Sequence, residues 1–169
     1  GKRPELVVAE SLKPQLLGGD FLVDASLLVG IVDRNSDAQS FTGVLGRSLI
    51  TSVNFGEVLY KLEELAGADP IRVERALTAF GVRAEAFELA EARHFPDLKR
   101  IDLRSRDAQR DQGLKPGQVK SLSLADMACL AYALEHRLPV LTGDSHWCEL
   151  GQHGLDVAVF DFRDASTKF

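Results

Sequence analysis

The chain is poor in the residues that build several kinds of protein. Its 169 residues hold two cysteines, Cys129 and Cys148. Two are too few for a disulfide scaffold, and their spacing suits no zinc site. There is no CxxC, no HExxH and no glycine-rich phosphate loop, so zinc-hydrolase and P-loop chemistry lack their usual residues. No apolar run approaches the ~18 residues that a membrane helix needs. The opening residues carry no leader pattern, and a reducing, cytoplasmic setting is the expectation.

An overall basic balance is missing too. The net charge is −5, whereas proteins that grip phosphate backbones usually carry a basic surface. The charge is uneven, however. Arg93, Lys99, Arg100, Arg104, Arg106, Arg110, Lys115 and Lys120 crowd one region against four aspartates. Arg104 and Arg110 are candidates there for holding a nucleic-acid backbone. The plain alternative is a solvated helix of mixed charge.

What is present is an ordinary globular composition, 45% apolar and 27% charged, long enough for one domain with a true core. Residues 20–162 are expected to form that domain. Residues 1–19, with Pro4, Pro14 and a Gly18-Gly19 end, read as an extension or linker before it, and 163–169 as a tail. Strands are expected at FLVD, Leu49–Thr51, Val82–Phe87, Pro139–Thr142 and Val157–Phe160.

Helices are expected between those strands. They cover Ala25–Val32, 37–46, Ser52–Ala66 with Phe55, Val58, Leu62 and Leu65 on its apolar stripe, and Pro70–Phe80. A charged helical region interrupted at Pro96 runs to about Arg110, and the very apolar 124–137 and the short 145–151 complete the set. Alternating strands and helices imply an α/β/α sandwich around a mainly parallel sheet. In such folds ligands bind beyond the carboxyl ends of the strands.

Three acidic residues fall at that edge. Asp24 ends the first strand inside the apolar run GDFLVDASLLV, Asp144 follows the fourth strand in VLTGDSHW, and Asp126 opens the helix of SLSLADMACLAYALEH. Each has a local explanation. Asp24 and Asp144 suit helix N-caps, and Ser123 with Asp126 resembles a capping box. Glu57 lies off the apolar stripe, in line with Asn54 and Lys61, and could be an exposed partner of Lys61. Together the four point elsewhere. Carboxylates gathered in one cleft repel unless cations share it, and Mg²⁺ or Mn²⁺ fits an all-oxygen set better than Zn²⁺.

The segments FLVDASLLV, SVNFGEVLYKL, LSLADMACLAYA and LTGDSHW, in this order, resemble PIN-domain ribonucleases, most closely the VapC toxins of toxin–antitoxin pairs. That resemblance spans roughly residues 20–160. It implies that Asp24, Glu57, Asp126 and Asp144 form the acidic metal-binding site. Thr142 stands where the family has its Ser or Thr two residues before the last Asp, and Ser26 and Asn54 match neighbouring polar positions that orient ligands or water.

The resemblance also implies a metal-dependent endoribonuclease leaving 5′-phosphate and 3′-hydroxyl ends, an antitoxin partner of the VapB kind and a homodimer. Residues 1–19 depart from the family pattern, which begins almost at its first strand. Antitoxin tails lay an arginine into the toxin's acidic site, and Arg3 is a candidate for imitating that. Two rival readings stand beside this one. The first is a PIN-like module that binds RNA or protein without catalysis. The second is a phosphatase-type enzyme with Asp24 as nucleophile, for which Ser26 replaces the usual second aspartate.

Overall fold

A computed structural model describes residues 18–164. Its strands are β1 (Phe21–Val23), β2 (Ser48–Thr51), β3 (Arg83–Glu85), β4 (Val140–Thr142) and β5 (Val159–Asp161). They form one sheet in the order β3-β2-β1-β4-β5, and every pairing is parallel. Leu22 is in register with Leu49 on one side and Val140 on the other. Every residue of β1, β2 and β4 is buried, as befits parallel strands covered on both faces.

The helices are α1 (Ala25–Val32), α2 (Ser36–Gln39), α3 (Ser52–Ala66), α4 (Pro70–Ala79), α5 (Leu89–Ala92), α6 (Phe95–Asp111) and α7 (Leu124–His136). Strand alternation sends Phe21, Val23, Ile50 and Leu141 to one face, where they pack on Leu27, Leu28, Val58, Leu62 and Leu77 of α1, α3 and α4. Leu22, Leu49 and Val140 face the other way, against Leu98, Ile101, Leu130, Trp147 and Cys129. This is the expected three-layer sandwich. Each fully buried aliphatic side chain contributes about 1.5–3 kcal/mol. Among the described residues, no helix is long and apolar enough to cross a membrane.

Several helix ends follow from single residues. Thr51 caps α3 by accepting from Asn54 N at 3.1 Å, and Gly67 closes it in the left-handed region at φ 61°. Asp69 and Pro70 start α4. The Ser123–Asp126 capping box at the start of α7 is complete, with bonds of 2.9 and 3.1 Å.

Four local expectations need correcting. The helix expected over 37–46 is the short α2 plus a 3-10 helix, Thr42–Arg47, and Gly43 and Gly46 disfavour a longer α-helix. β3 is shorter than 82–87 because it is an edge strand with exposed side chains. The break expected at Pro96 falls just before it, between α5 and α6, and Pro96 lies in the first turn of α6, where its missing N–H costs nothing. Leu65 is exposed rather than on the buried stripe. Most of the expected N-terminal extension, Arg3 included, and the last residues of the expected tail lie outside the described residues.

The strand order reverses between β1 and β4. The chain leaves β1 toward β2 and β3 on one side and later returns to β4 and β5 on the other. A crevice at the carboxyl ends of β1 and β4 is the consequence.

Candidate active site

That crevice is a cavity of about 500 Å³. Asp24, Glu57, Asp126 and Asp144 all line it, as do Ser26 and, as positive groups, Lys61, Lys120 and Arg163. The four acidic residues singled out from the sequence therefore meet in one place.

Asp24 stands at the N-cap position of α1, yet its side chain caps nothing. Its Oδ1 accepts from Ser26 Oγ at 2.5 Å and its Oδ2 from Thr142 Oγ1 at 2.8 Å. Each hydroxyl is itself held by a backbone N–H. Gly143 N donates to Ser26 Oγ at 2.9 Å, and Asp144 N donates to Thr142 Oγ1 at 3.0 Å. With its acceptor side occupied, each hydroxyl turns its hydrogen toward Asp24. Gly143 admits no side chain in this arrangement, because a Cβ would lie 2.6 Å from Phe162 Cε1.

Burial pushes the Asp24 carboxyl up from 3.8 to about 6. The Ser26 and Thr142 hydrogen bonds pull it down, while Asp126 and Glu57 push it further up. Asp126 is raised as well, first by burial, against its bonds to Ser123, with Asp144 and Glu57 adding repulsion. Its capping role and its place in the cavity coexist. Asp144 likewise caps the 3-10 helix Ser145–His153 through His146 N at 3.0 Å while lining the cavity.

Glu57 is aimed by Asn54. The buried Asn54 amide donates to Glu57 Oε1 at 3.0 Å and to the carbonyl of Ala125 at 2.9 Å. It thus ties α3 to the residue before Asp126. Thr51 Oγ1 donates to Asn54 Oδ1 at 2.5 Å and fixes which way the amide faces. The expected Glu57–Lys61 pair is present too, at 3.5 Å.

Arg104 and Arg110 lie elsewhere. Arg104 donates from Nε and a terminal nitrogen to the His153 carbonyl, at 3.0 and 2.6 Å. Arg110 pairs with Asp107 at 3.2 Å on the surface of α6. Neither lines the acidic cavity. The cations that do are Lys61, Lys120 and Arg163, and Arg163 also bonds the Gly143 carbonyl. Sequence reasoning passed over Thr51, Gly143 and Arg163 and met Lys120 as one member of the basic run; of these, Gly143, next to the LTGDSHW aspartate, carried a local signal.

Among the described residues, no protein cation forms an ion pair with Asp24, Asp126 or Asp144, and no group of three or more His, Cys, Asp or Glu is drawn together closely enough to hold a metal ion. The four carboxylates are spread around the wall of the 500 Å³ cavity instead. Such a donor set fits a hard cation that keeps several of its waters, as Mg²⁺ does, and not a dehydrated cage.

The chain belongs to the PIN domain family, whose pattern it matches over residues 21–152. Nucleases predominate in that family. In structure it is similar to VapBC-1 from nontypeable Haemophilus influenzae, with a TM-score of 0.55 at 11% identity over 85% of this chain and 98% of that one. It is also similar to Mycobacterium tuberculosis VapC20, described as a toxin that cleaves the sarcin-ricin loop. That match has a TM-score of 0.54 at 15% identity over 80% of this chain and 96% of that one. At these identities the likeness is one of fold.

In sequence, 98 residues are 35% identical to a Rubrobacter xylanophilus protein provisionally named glutamate–cysteine ligase 2-3. The match takes in 56% of this chain and 25% of that protein, so the chain spans about a quarter of the curated relative's length.

Proposed function

We propose that this chain is a divalent-metal-dependent endoribonuclease, the toxin of a VapBC-type pair. The observation that carries the reading is the convergence of Asp24, Glu57, Asp126 and Asp144 on one cavity where, among the described residues, three of them have no protein counter-ion. Asp24 and Asp126 are the residues to hold Mg²⁺ or Mn²⁺, with Asp144 and Glu57 completing the site directly or through water. Such an ion supplies a water of lowered pKa and positive charge beside the phosphate.

The protein's own part is orientation and proton handling. Ser26 and Thr142 hold Asp24 ionised against its burial. Asn54 keeps Glu57 turned into the cavity, where Glu57 or Asp144 takes the proton of the attacking water. Lys61, Lys120 and Arg163 at the rim offer positive charge to the RNA backbone. Hydrolysis of this kind leaves a 5′-phosphate and a 3′-hydroxyl.

A VapB-like antitoxin, a homodimeric state and a cytoplasmic setting belong to the same reading. The similarity in fold to VapBC-1 supports the partner.

Labelled RNA incubated with the protein tests it. Cleavage is expected with Mg²⁺ or Mn²⁺, is abolished by EDTA, and drops by at least ~100-fold in Asp126→Asn. Cleavage that survives both EDTA and the substitution overturns the reading.

A further inference from the structure

The acidic cavity does not end at its rim. Lys120 and Ser145 also line a second cavity of about 240 Å³, with Gln112, Leu114, Gln118, His146 and Glu149 around it. Three observations give this neighbour a purpose.

The first is the placement of Lys120. The side-chain amide of Gln109 clasps its peptide at both ends, accepting from Lys120 N at 2.7 Å and donating to its carbonyl at 2.9 Å. Two residues on, the buried Asp102 accepts from Leu122 N at 2.9 Å. Helix α6 thereby pins the loop that brings Lys120 to the boundary of both cavities. Among the described residues, its ammonium group forms no ion pair.

The second is unused hydrogen-bonding capacity. Among the described residues the Glu149 carboxylate makes no hydrogen bond, its nearest polar neighbour being His146 Nδ1 at 3.9 Å, too far for one. Gln112 makes no side-chain hydrogen bond among the described residues.

The third is the charge and size of the space. Glu149 is its one carboxylate and Lys120, at its mouth, its one cation. A phosphate here would meet the exposed Glu149 as well as Lys120, whereas a neutral base would find donors, acceptors and the apolar side of Leu114. The volume is below the ~300 Å³ at which drug-sized sites begin and suits a single base.

We propose that this second cavity is a nucleobase subsite. It takes the base of the nucleotide flanking the scissile phosphate, and Lys120 at the junction holds the intervening backbone. Single-stranded RNA is recognised through bases turned out of the stack and hydrogen-bonded on their edges. Carboxylates accept from exocyclic amino groups such as that of cytosine, so Glu149 selects an amino-bearing base over uracil. The flanking assignment rests on the nuclease reading; the base selectivity does not.

Two measurements separate them. The isotope-labelled chain is titrated in metal-free buffer with cytidine and with uridine while backbone amide shifts are followed. Cytidine is expected to shift residues 112–120 and 145–149 and to bind about tenfold more tightly than uridine. That preference disappears in Gln112→Ala/Glu149→Gln, whose two positions are exposed and do not line the acidic cavity.

The same variant is then assayed on single-stranded RNA with Mn²⁺, with an expected rise of about tenfold in KM at unchanged kcat. Base binding without RNA cleavage by the wild type sinks the nuclease reading and leaves the subsite standing. RNA cleavage whose KM is indifferent to the double variant, or nucleoside shifts outside 112–120 and 145–149, overturns the subsite.

Discussion

Two parts of the molecule bury carboxylates, and they neutralise them in opposite ways. Under α6, Asp102 is 1% exposed, with the Arg106 guanidinium at 3.3 Å, Lys99 at 4.0 Å and the Leu122 N–H at 2.9 Å. The Arg106 contact is close yet poorly aligned, since its Nε makes no hydrogen bond. Glu91, also buried, has a hydrogen-bond partner within the chain in His136 at 2.7 Å. At the crevice, Asp24 is 8% exposed and receives only two hydroxyl hydrogens. The protein completes the charge balance of the first region within its own chain. It leaves that of the second open, which is how a site for an external cation differs from a structural ion pair.

The same substitution should therefore act with opposite sign in the two regions. The largest effect is expected at Asp102. Asp102→Asn strands Arg106 and weakens the tether to Leu122, and urea unfolding should show a loss of about 3 kcal/mol. A loss below ~0.5 kcal/mol would mean that Asp102 is no better balanced than Asp24.

Asp24→Asn is expected to do the reverse in metal-free protein, with a characteristic pH dependence. Burial raises the folded carboxyl from 3.8 to about 6, so folding takes up a proton between these values. The favourable contribution of the protonated group is present below pH 3.8 and is lost as the pH climbs through about 6. The variant has no such loss. The altered hydrogen bonds of the amide cost the same at every pH, so its stability should lie about 1 kcal/mol below that of the wild type near pH 4 and about 1–2 kcal/mol above it at pH 7. A stability difference that is flat with pH would remove Asp24 from the class of uncompensated carboxylates.

Much of the crevice was legible before the fold was known, because strand ends carry it. Asp24 and Asp144 directly follow the short apolar runs that became β1 and β4. Asp126 was marked by its spacing from Ser123, and Glu57 by its place off the apolar stripe of a helix that starts at the same sheet edge. What those residues bond to was less legible. Asp24 looked like a helix cap, and its actual donors, Ser26 and Thr142, act as they do only because Gly143 and Asp144 present N–H groups across the sheet.

Lys120 was legible as one of the basic residues of 93–120 but was not singled out among them, for a related reason. Its position depends on Asp102 and Gln109 reaching from α6 to a loop, and nothing in a run of mixed charge distinguishes it from Arg104 or Arg110. The error over β3 has a simpler cause. An edge strand needs few buried residues, so apolar pattern alone overestimates its length.

The central claim is that the crevice awaits a cation that Asp24 helps to hold. Thermal unfolding of the wild type and Asp24→Asn at pH 7, with EDTA and with millimolar Mn²⁺, tests it most directly. Mn²⁺ should raise the wild-type Tm by roughly 5 °C or more and leave that of the variant within about 1 °C. A wild-type Tm that does not move, or a variant that rises equally, would contradict the account.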